Sequence, residues 1–222
     1  MPVDIEAVRQ IALFAALSRD ELARVAAMAV ERHFARGDII LLEGDMGGSL
    51  HYVHTGLVKV FKTSSEGKEQ VLRLIAEGHT FNDVPALDGG PNPASAAALE
   101  ASDVYIMRRA DLRELILTRP EVAEAVVQSL ASALRHLVVL VEDLSLRHVT
   151  ARVAKLLFEQ ETSSVGSGQQ GYRLTQTEMA AMVGTAREVV GRALKVLEAA
   201  GAIEMQQGRA VVLNRERLHM LL

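Results

Sequence analysis

The 222-residue sequence has no cysteine, which excludes disulfides, thiolate metal sites, cysteine nucleophiles and cysteine-ligated iron–sulfur clusters. No unbroken run approaches the roughly 18 apolar residues that a membrane span needs, and the first residues lack the basic-then-apolar pattern of a signal peptide. A cytoplasmic protein without a membrane partner is the expectation. There is no internal repeat and no acidic or basic tail. What is present is length enough for two domains, each with its own core. The formal net charge of −4 divides unevenly: residues 151–222 hold 9 Lys and Arg against 7 Asp and Glu, whereas 1–150 hold 15 against 21. The C-terminal part is the positive one, as a nucleic-acid partner requires.

That part contains LTQTEMAAMVGTAREVVGRALKVL, Leu174 to Leu197. Thr175 can cap a first helix, with Glu178 completing a capping box, and Met179, Met182 and Val183 supply an apolar face. Gly184 stands where a left-handed turn residue is wanted. A second helix then starts at Thr185 or Ala186, with Val190, Ala193, Leu194 and Leu197 as its inner stripe and Arg187, Glu188, Arg192 and Lys195 outside. Gly191 is expected to let the backbone come close to whatever lies beyond. In a helix-turn-helix the second helix enters the major groove, where arginine pairs with both acceptors of guanine and a carboxylate accepts from the cytosine amine. A solvated face of offsetting charges is the bland alternative. Glu204–Leu213 then reads as two short strands around a Gly-containing turn, a wing with Arg209 at the turn near phosphates. Ser163–Gly171, SSVGSGQQG, reads as a flexible loop.

The N-terminal region is punctuated differently. After a helix capped by Ser18 over Arg19–Ala29, glycines at 37, 44, 56, 67 and 78 separate the short apolar runs Ile39–Leu42, Leu50–Val53, Leu57–Phe61 and Val71–Ile75. Strands at about ten-residue spacing predict an antiparallel sandwich or barrel. From Pro120 to about Leu146 there is no glycine and no further proline, so a long helix is predicted. Val127, Leu130, Leu134, Leu137, Val141 and Leu144 recur in it at heptad steps, a seam for a second copy of the chain. Val126, Val138, Val139 and Leu140 are expected to pack that helix on its own barrel.

Barrel, long helix and winged helix-turn-helix in that order resemble the Crp/Fnr transcription regulators. The resemblance covers nearly the whole chain and is most specific in HVTARVAKLL (148–157) and GTAREVVGRALKVLE (184–198). It implies an α+β fold: a cyclic-nucleotide-binding-like jelly-roll barrel over 1–118, a dimerisation helix over 119–147 and a winged helix-turn-helix over 148–222. It further implies a homodimer on double-stranded DNA, with activation through RNA polymerase. Arg187, Glu188 and Arg192 match the family's base-contacting set and imply a palindrome with TGTGA-like half-sites. Thr175 and Thr177 fall at phosphate contacts, with Lys195 beside them. A short hinge, Ser145 to Val149, would set the separation of the two recognition helices.

The effector segment departs from the family pattern. Cyclic-nucleotide members carry Gly-Glu-Leu and then Arg-Ser or Arg-Thr; here the segment from Phe81 to Ala96 has no arginine. Asn82 and Asp83 stand near the acidic position and Ser95 in place of the serine, while Leu137 and Val138 replace the polar pair that contacts adenine. Burying a phosphate unpaired is costly, so cyclic AMP is not the expected effector. No cofactor is predicted. Haem, as in the CO- or NO-sensing members, is the alternative that His33, His51, His54, His79 and Pro2 leave open, beside an apolar or small acidic metabolite or no effector at all. A cupin-like enzyme fits poorly, because His51 and His54 lie three apart on an alternating strand and face opposite sides. A sensor module of a kinase or channel would lack the DNA reader.

Overall fold

The computed structural model describes residues 3–167, 174–206 and 209–222. Two compact units emerge. One runs to Lys62 and resumes over Leu72–His136; the other joins Thr63–Val71 to Leu137–Leu222.

The first unit opens with α1 (Ile5–Gln10) and α2 (Arg19–Met28). Ser18 caps α2, its backbone N–H and hydroxyl both donating to the Glu21 carboxylate. The helix stops one residue short of the predicted Ala29, which instead begins β1 (Ala29–Phe34), a strand that the sequence reading merged with its helical lead-in. Then follow β2 (Ile39–Leu41), β3 (Ser49–Thr55), β4 (Leu57–Thr63), β5 (Glu69–Ala76), β6 (Thr80–Phe81), α3 (Asp83–Asp88), β7 (Ser95–Ala98), β8 (Ser102–Arg108) and α4 (Arg109–Thr118). The strands form two four-stranded antiparallel sheets, β1-β8-β3-β6 and β2-β7-β4-β5, a jelly-roll-like arrangement in place of a closed barrel. Gly37, Gly44, Gly56, Gly67 and Gly78 all have positive φ, which is why these connections turn where they do.

Alternation along the strands gives the unit two cores. Val53, Val58, Ile75, Phe81, Ala96 and Val104 lie between the sheets. Leu50, Tyr52, Tyr105 and Met107 point the other way, into a cluster with Phe14, Leu22, Leu112 and Val122. Val122 belongs to α5 (Pro120–Leu146), whose bounds match the prediction. Of the four residues expected to pack α5 on the sheets, Val126 does (9% exposed), but Val138 and Val139 are 60% and 43% exposed and Leu140 is half-buried. The apolar surface of the helix is therefore wider than its own chain covers. By length and composition α5 is also apolar enough to cross a membrane, with a mean hydropathy of 1.4 over its best window. No unbroken apolar run marks it, because Glu124, Arg135 and Glu142 interrupt the sequence of the helix.

The second unit packs α6 (Val149–Ser167), α7 (Gln176–Val183), α8 (Arg187–Ala199), β9 (Ile203–Gln206), β10 (Arg209–Val212) and α9 (Arg215–His219) around Val153, Leu157, Met179, Leu194, Ile203 and Leu218. α6 continues through Ser167, so the loop expected from Ser163 starts later. Extending an existing helix by a turn is cheap even through serines and a glycine, because the nucleus is already formed. The remainder of that expected loop and the wing's turn residues lie outside the described residues. Asp143 of α5 is paired with Arg147 at 2.8 Å and with Lys155 of α6, and Arg147 donates to the carbonyl of Leu222.

Candidate nucleic-acid interface

The helix pair is built as its sequence demands. The Thr175 hydroxyl accepts from the N–H of Glu178 at 3.3 Å, and the Glu178 carboxylate accepts from the N–H of Thr175 at 2.7 Å and from its hydroxyl at 2.8 Å. These bonds satisfy donors that the start of α7 would otherwise leave open. The Thr175 hydroxyl proton is thereby engaged on Glu178, while Thr177, the second residue of α7, is exposed. At the other end Gly184 adopts φ 70°, ψ 44°, and its N–H and that of Thr185 both donate to Ala180. The chain then reverses into α8.

In α8 the two faces separate cleanly. Val190 and Leu197 are fully buried, and Leu194 and Ala193 are 2% and 3% exposed. Arg187, Glu188, Arg192 and Lys195 are all exposed. The outward face starts at the helix N-terminus, where Ala186 occupies the cap position and provides no capping side chain. The start of α8, with Arg187 as its first residue, receives no side-chain cap, although the N–H of Val189 already donates to the carbonyl of Ala186 at 3.0 Å; an uncapped helix start is where phosphate oxygens are held. A missing Ser, Thr, Asp or Asn before Arg187 was the available signal. The place a Cβ on Gly191 would occupy is 3.7 Å from the Gln176 side chain, ordinary van der Waals distance to the start of α7.

The wing forms as β9 and β10, paired antiparallel with Arg209 opposite Gln206. Arg209 is thus the first residue of a strand, exposed, and not a turn residue. Glu198 near the end of α8 accepts from the N–H of Met205 at 3.0 Å, which fixes the wing to the recognition helix.

The predicted effector residues are scattered in role. The Asn82 amide donates to the carbonyl of Ser49, and the Ser95 hydroxyl accepts from the N–H of Glu43. Asp83 lies in a small, open apolar depression with Leu13, Leu50, Leu112, Val126 and Leu130. Neither Asn82 nor Ser95 is in its wall. Burial raises the Asp83 carboxyl above the usual range, with Thr80 and Arg73 partly offsetting it. Leu137 and Val138 are 47% and 60% exposed. The arginine-free segment is tied up by Asn92, which is 3% exposed. Its side-chain amide donates to Leu42, its N–H donates to Asp45, and its carbonyl accepts from Gly44. A Cβ on Gly47 would lie 2.1 Å from the Asn92 Oδ1, so the side chain fills this space.

The histidines are dispersed. His51 is buried with its ring 5.0 Å from Phe81, and His54 stacks on Tyr105 at 4.7 Å, on the opposite face of β3 as alternation requires. His33 pairs with Asp103 at 2.8 Å, and His79 contacts the carbonyl of Glu77. Among the described residues no group of three His, Asp or Glu could hold a metal ion. Pro2 lies outside the described residues.

The sequence matches the family described as "Cyclic nucleotide-binding domain" over residues 31–119 and that described as "Crp-like helix-turn-helix domain" over 151–221. It is 31% identical over 189 residues to the CRP-like cAMP-activated global transcriptional regulator of Mycobacterium tuberculosis, covering 83% of this chain and 84% of the relative. It is 31% identical to the Cyclic AMP receptor protein of Thermus thermophilus, covering 90% and 91%. The solved structure of FixK2 from Bradyrhizobium japonicum superposes with a TM-score of 0.76 at 26% identity, covering 87% of this chain and 96% of that one. These relatives are regulators and not enzymes. With a DNA-reading helix pair behind a jelly-roll domain, the chain belongs to the Crp/Fnr family of DNA-binding transcription regulators.

Proposed function

We propose that the protein is a cytoplasmic homodimer that reads a TGTGA-like palindrome and activates transcription with RNA polymerase in response to something other than cyclic AMP. The observation that carries the DNA reading is the exposure of Arg187, Glu188 and Arg192 on one face of α8 above a fully buried inner stripe. Arg187 and Arg192 pair with guanines and Glu188 accepts from cytosine. Thr177, Lys195, Arg209 and the open start of α8 hold phosphates, joined by Thr175 when its hydroxyl leaves Glu178. The seam Val127, Leu130, Leu134, Leu137, Val141 and Leu144, from 39% to 65% exposed in the single chain, is the surface for a second copy.

Binding to a labelled TGTGA palindrome, compared with random DNA, tests the reading. Arg192→Ala is expected to weaken the specific complex by roughly 1–3 kcal/mol and relax the choice at one guanine. An equal loss on both DNAs would make Arg192 a phosphate contact.

Two of the relatives are named for cyclic AMP. Against that ligand here stand the absence of arginine from Phe81 to Ala96 and the engagement of Asn92 in the fold of its own loop. Two cations reach this segment from outside it and are engaged on its own carbonyls, Lys62 on Pro93 at 3.1 Å and Arg109 on Leu87 at 3.4 Å, so a cyclic phosphate would have to displace those bonds to be paired by them. Calorimetric titration is expected to show no saturable binding of cyclic AMP in the micromolar range.

A further inference from the structure

Gln70 belongs to the segment Thr63–Val71, which is part of the same compact unit as the helix pair. Its side-chain amide donates to the carbonyl of Met182 at 3.3 Å, across 112 residues of sequence, and to the carbonyl of its neighbour Val71 at 3.0 Å. Met182 lies in the last turn of α7, where the final carbonyls have no donor within the helix. A second, steric observation concerns Gly184. A Cβ there would stand 2.7 Å from the Gln70 Oε1 and 2.8 Å from a methyl of Leu144. The turn that launches α8 is thus both hydrogen-bonded by Gln70 and packed against it.

From this we propose that Gln70 is a positioning residue for DNA reading: it holds the turn between α7 and α8, and through it sets the placement of Arg187 and Glu188 before DNA arrives. The inference rests on α8 being the DNA reader. Holding the turn in advance lowers the ordering cost at binding. Gln70 itself needs no contact with DNA.

The test uses the full chain and a labelled TGTGA palindrome. Gln70→Met keeps the length of the side chain but removes its donor. It is expected to weaken specific binding by roughly two- to tenfold, the span a single net hydrogen bond covers. Backbone amides around Gly184 to Glu188 should exchange faster, with the melting temperature unchanged. In a double-mutant cycle, Gln70→Ala should relieve part of the defect of Gly184→Ala, because one of the two steric conflicts of the new methyl is with Gln70. Equal or tighter DNA binding by Gln70→Met, unaltered exchange at the turn, or strict additivity in the cycle would each overturn the proposal. If the wild-type chain binds no palindrome, the reading of α8 has failed instead, and the exchange measurement still reports whether Gln70 holds the turn.

Discussion

His51 is a histidine placed where a hydrophobic residue would ordinarily sit. It is 3% exposed, against Phe81, and burial lowers its pKa to about 4 despite a bond from its ring to the carbonyl of Ser49. In the unfolded chain the same ring takes a proton near pH 6.5. Between those two values the unfolded state binds the extra proton, so stability is fully present above about pH 6.5 and falls as the pH drops toward 4. The displacement corresponds to roughly 3 kcal/mol by the lower end of that window. Urea denaturation at a series of pH values should show this decline, and His51→Gln should flatten it; an equally steep decline in the variant would place the titrating group elsewhere. Asp83 works in the opposite sense, since its raised pKa makes the ionised form a cost that grows as pH rises through it. At this scale the sequence was informative wherever local phase decides exposure. Arg187, Glu188 and Arg192 could be placed outside because Val190, Ala193, Leu194 and Leu197 had to be inside. Gln70 and Asn92 could not be found, because their partners are distant in sequence and no periodicity points to them.

Whole elements were legible where a strong period met clear end signals. The bounds of α5 follow from a leading proline and an uninterrupted heptad, and α7 follows from its capping box and Gly184. β1 and β7 were missed because the one directly follows a helix and the other is alanine-rich, where a short apolar run carries no distinctive alternation; β8, with Val104, Tyr105, Ile106 and Met107, did carry β-branched and aromatic residues, but no glycine turn marks its start. Ser95–Ala98 is fully buried on every residue and so shows no polar face. α8 carries an element-scale prediction at Gly191. Its added Cβ would meet only ordinary contact with Gln176, and alanine is worth roughly 0.5–1 kcal/mol over glycine inside a helix. Gly191→Ala should therefore raise the melting temperature without weakening the palindrome complex. A stabilised variant that binds DNA poorly would restore the expectation that the glycine admits a close approach of the DNA backbone.

For the molecule as a whole, composition and order of elements pointed to the architecture, but the extent of the apolar surface on α5 did not. From Leu134 to Val139 every residue is exposed in the single chain, and Leu134 and Val141 are 63% and 62% exposed. The heptad accounts for one stripe of this surface. Val138 and Val139 widen it, so the contact a second copy must cover is broader than the seam alone. Leu134→Glu with Val141→Glu should convert the proposed dimer to monomer in sedimentation and reduce palindrome binding more than half-site binding. A variant that remains dimeric would move the interface off α5.

The exposed seam also bears on how such a regulator responds to its own abundance. A chain that occupies a palindrome only as a pair fills its site in proportion to the square of the chain concentration while the pair is dilute, and linearly once pairing is complete. In the proposed homodimer the apolar width of α5 would therefore set the concentration at which the response changes from steep to graded, and substitutions at Val138 or Val139 would shift that threshold without altering the DNA sequence that is read.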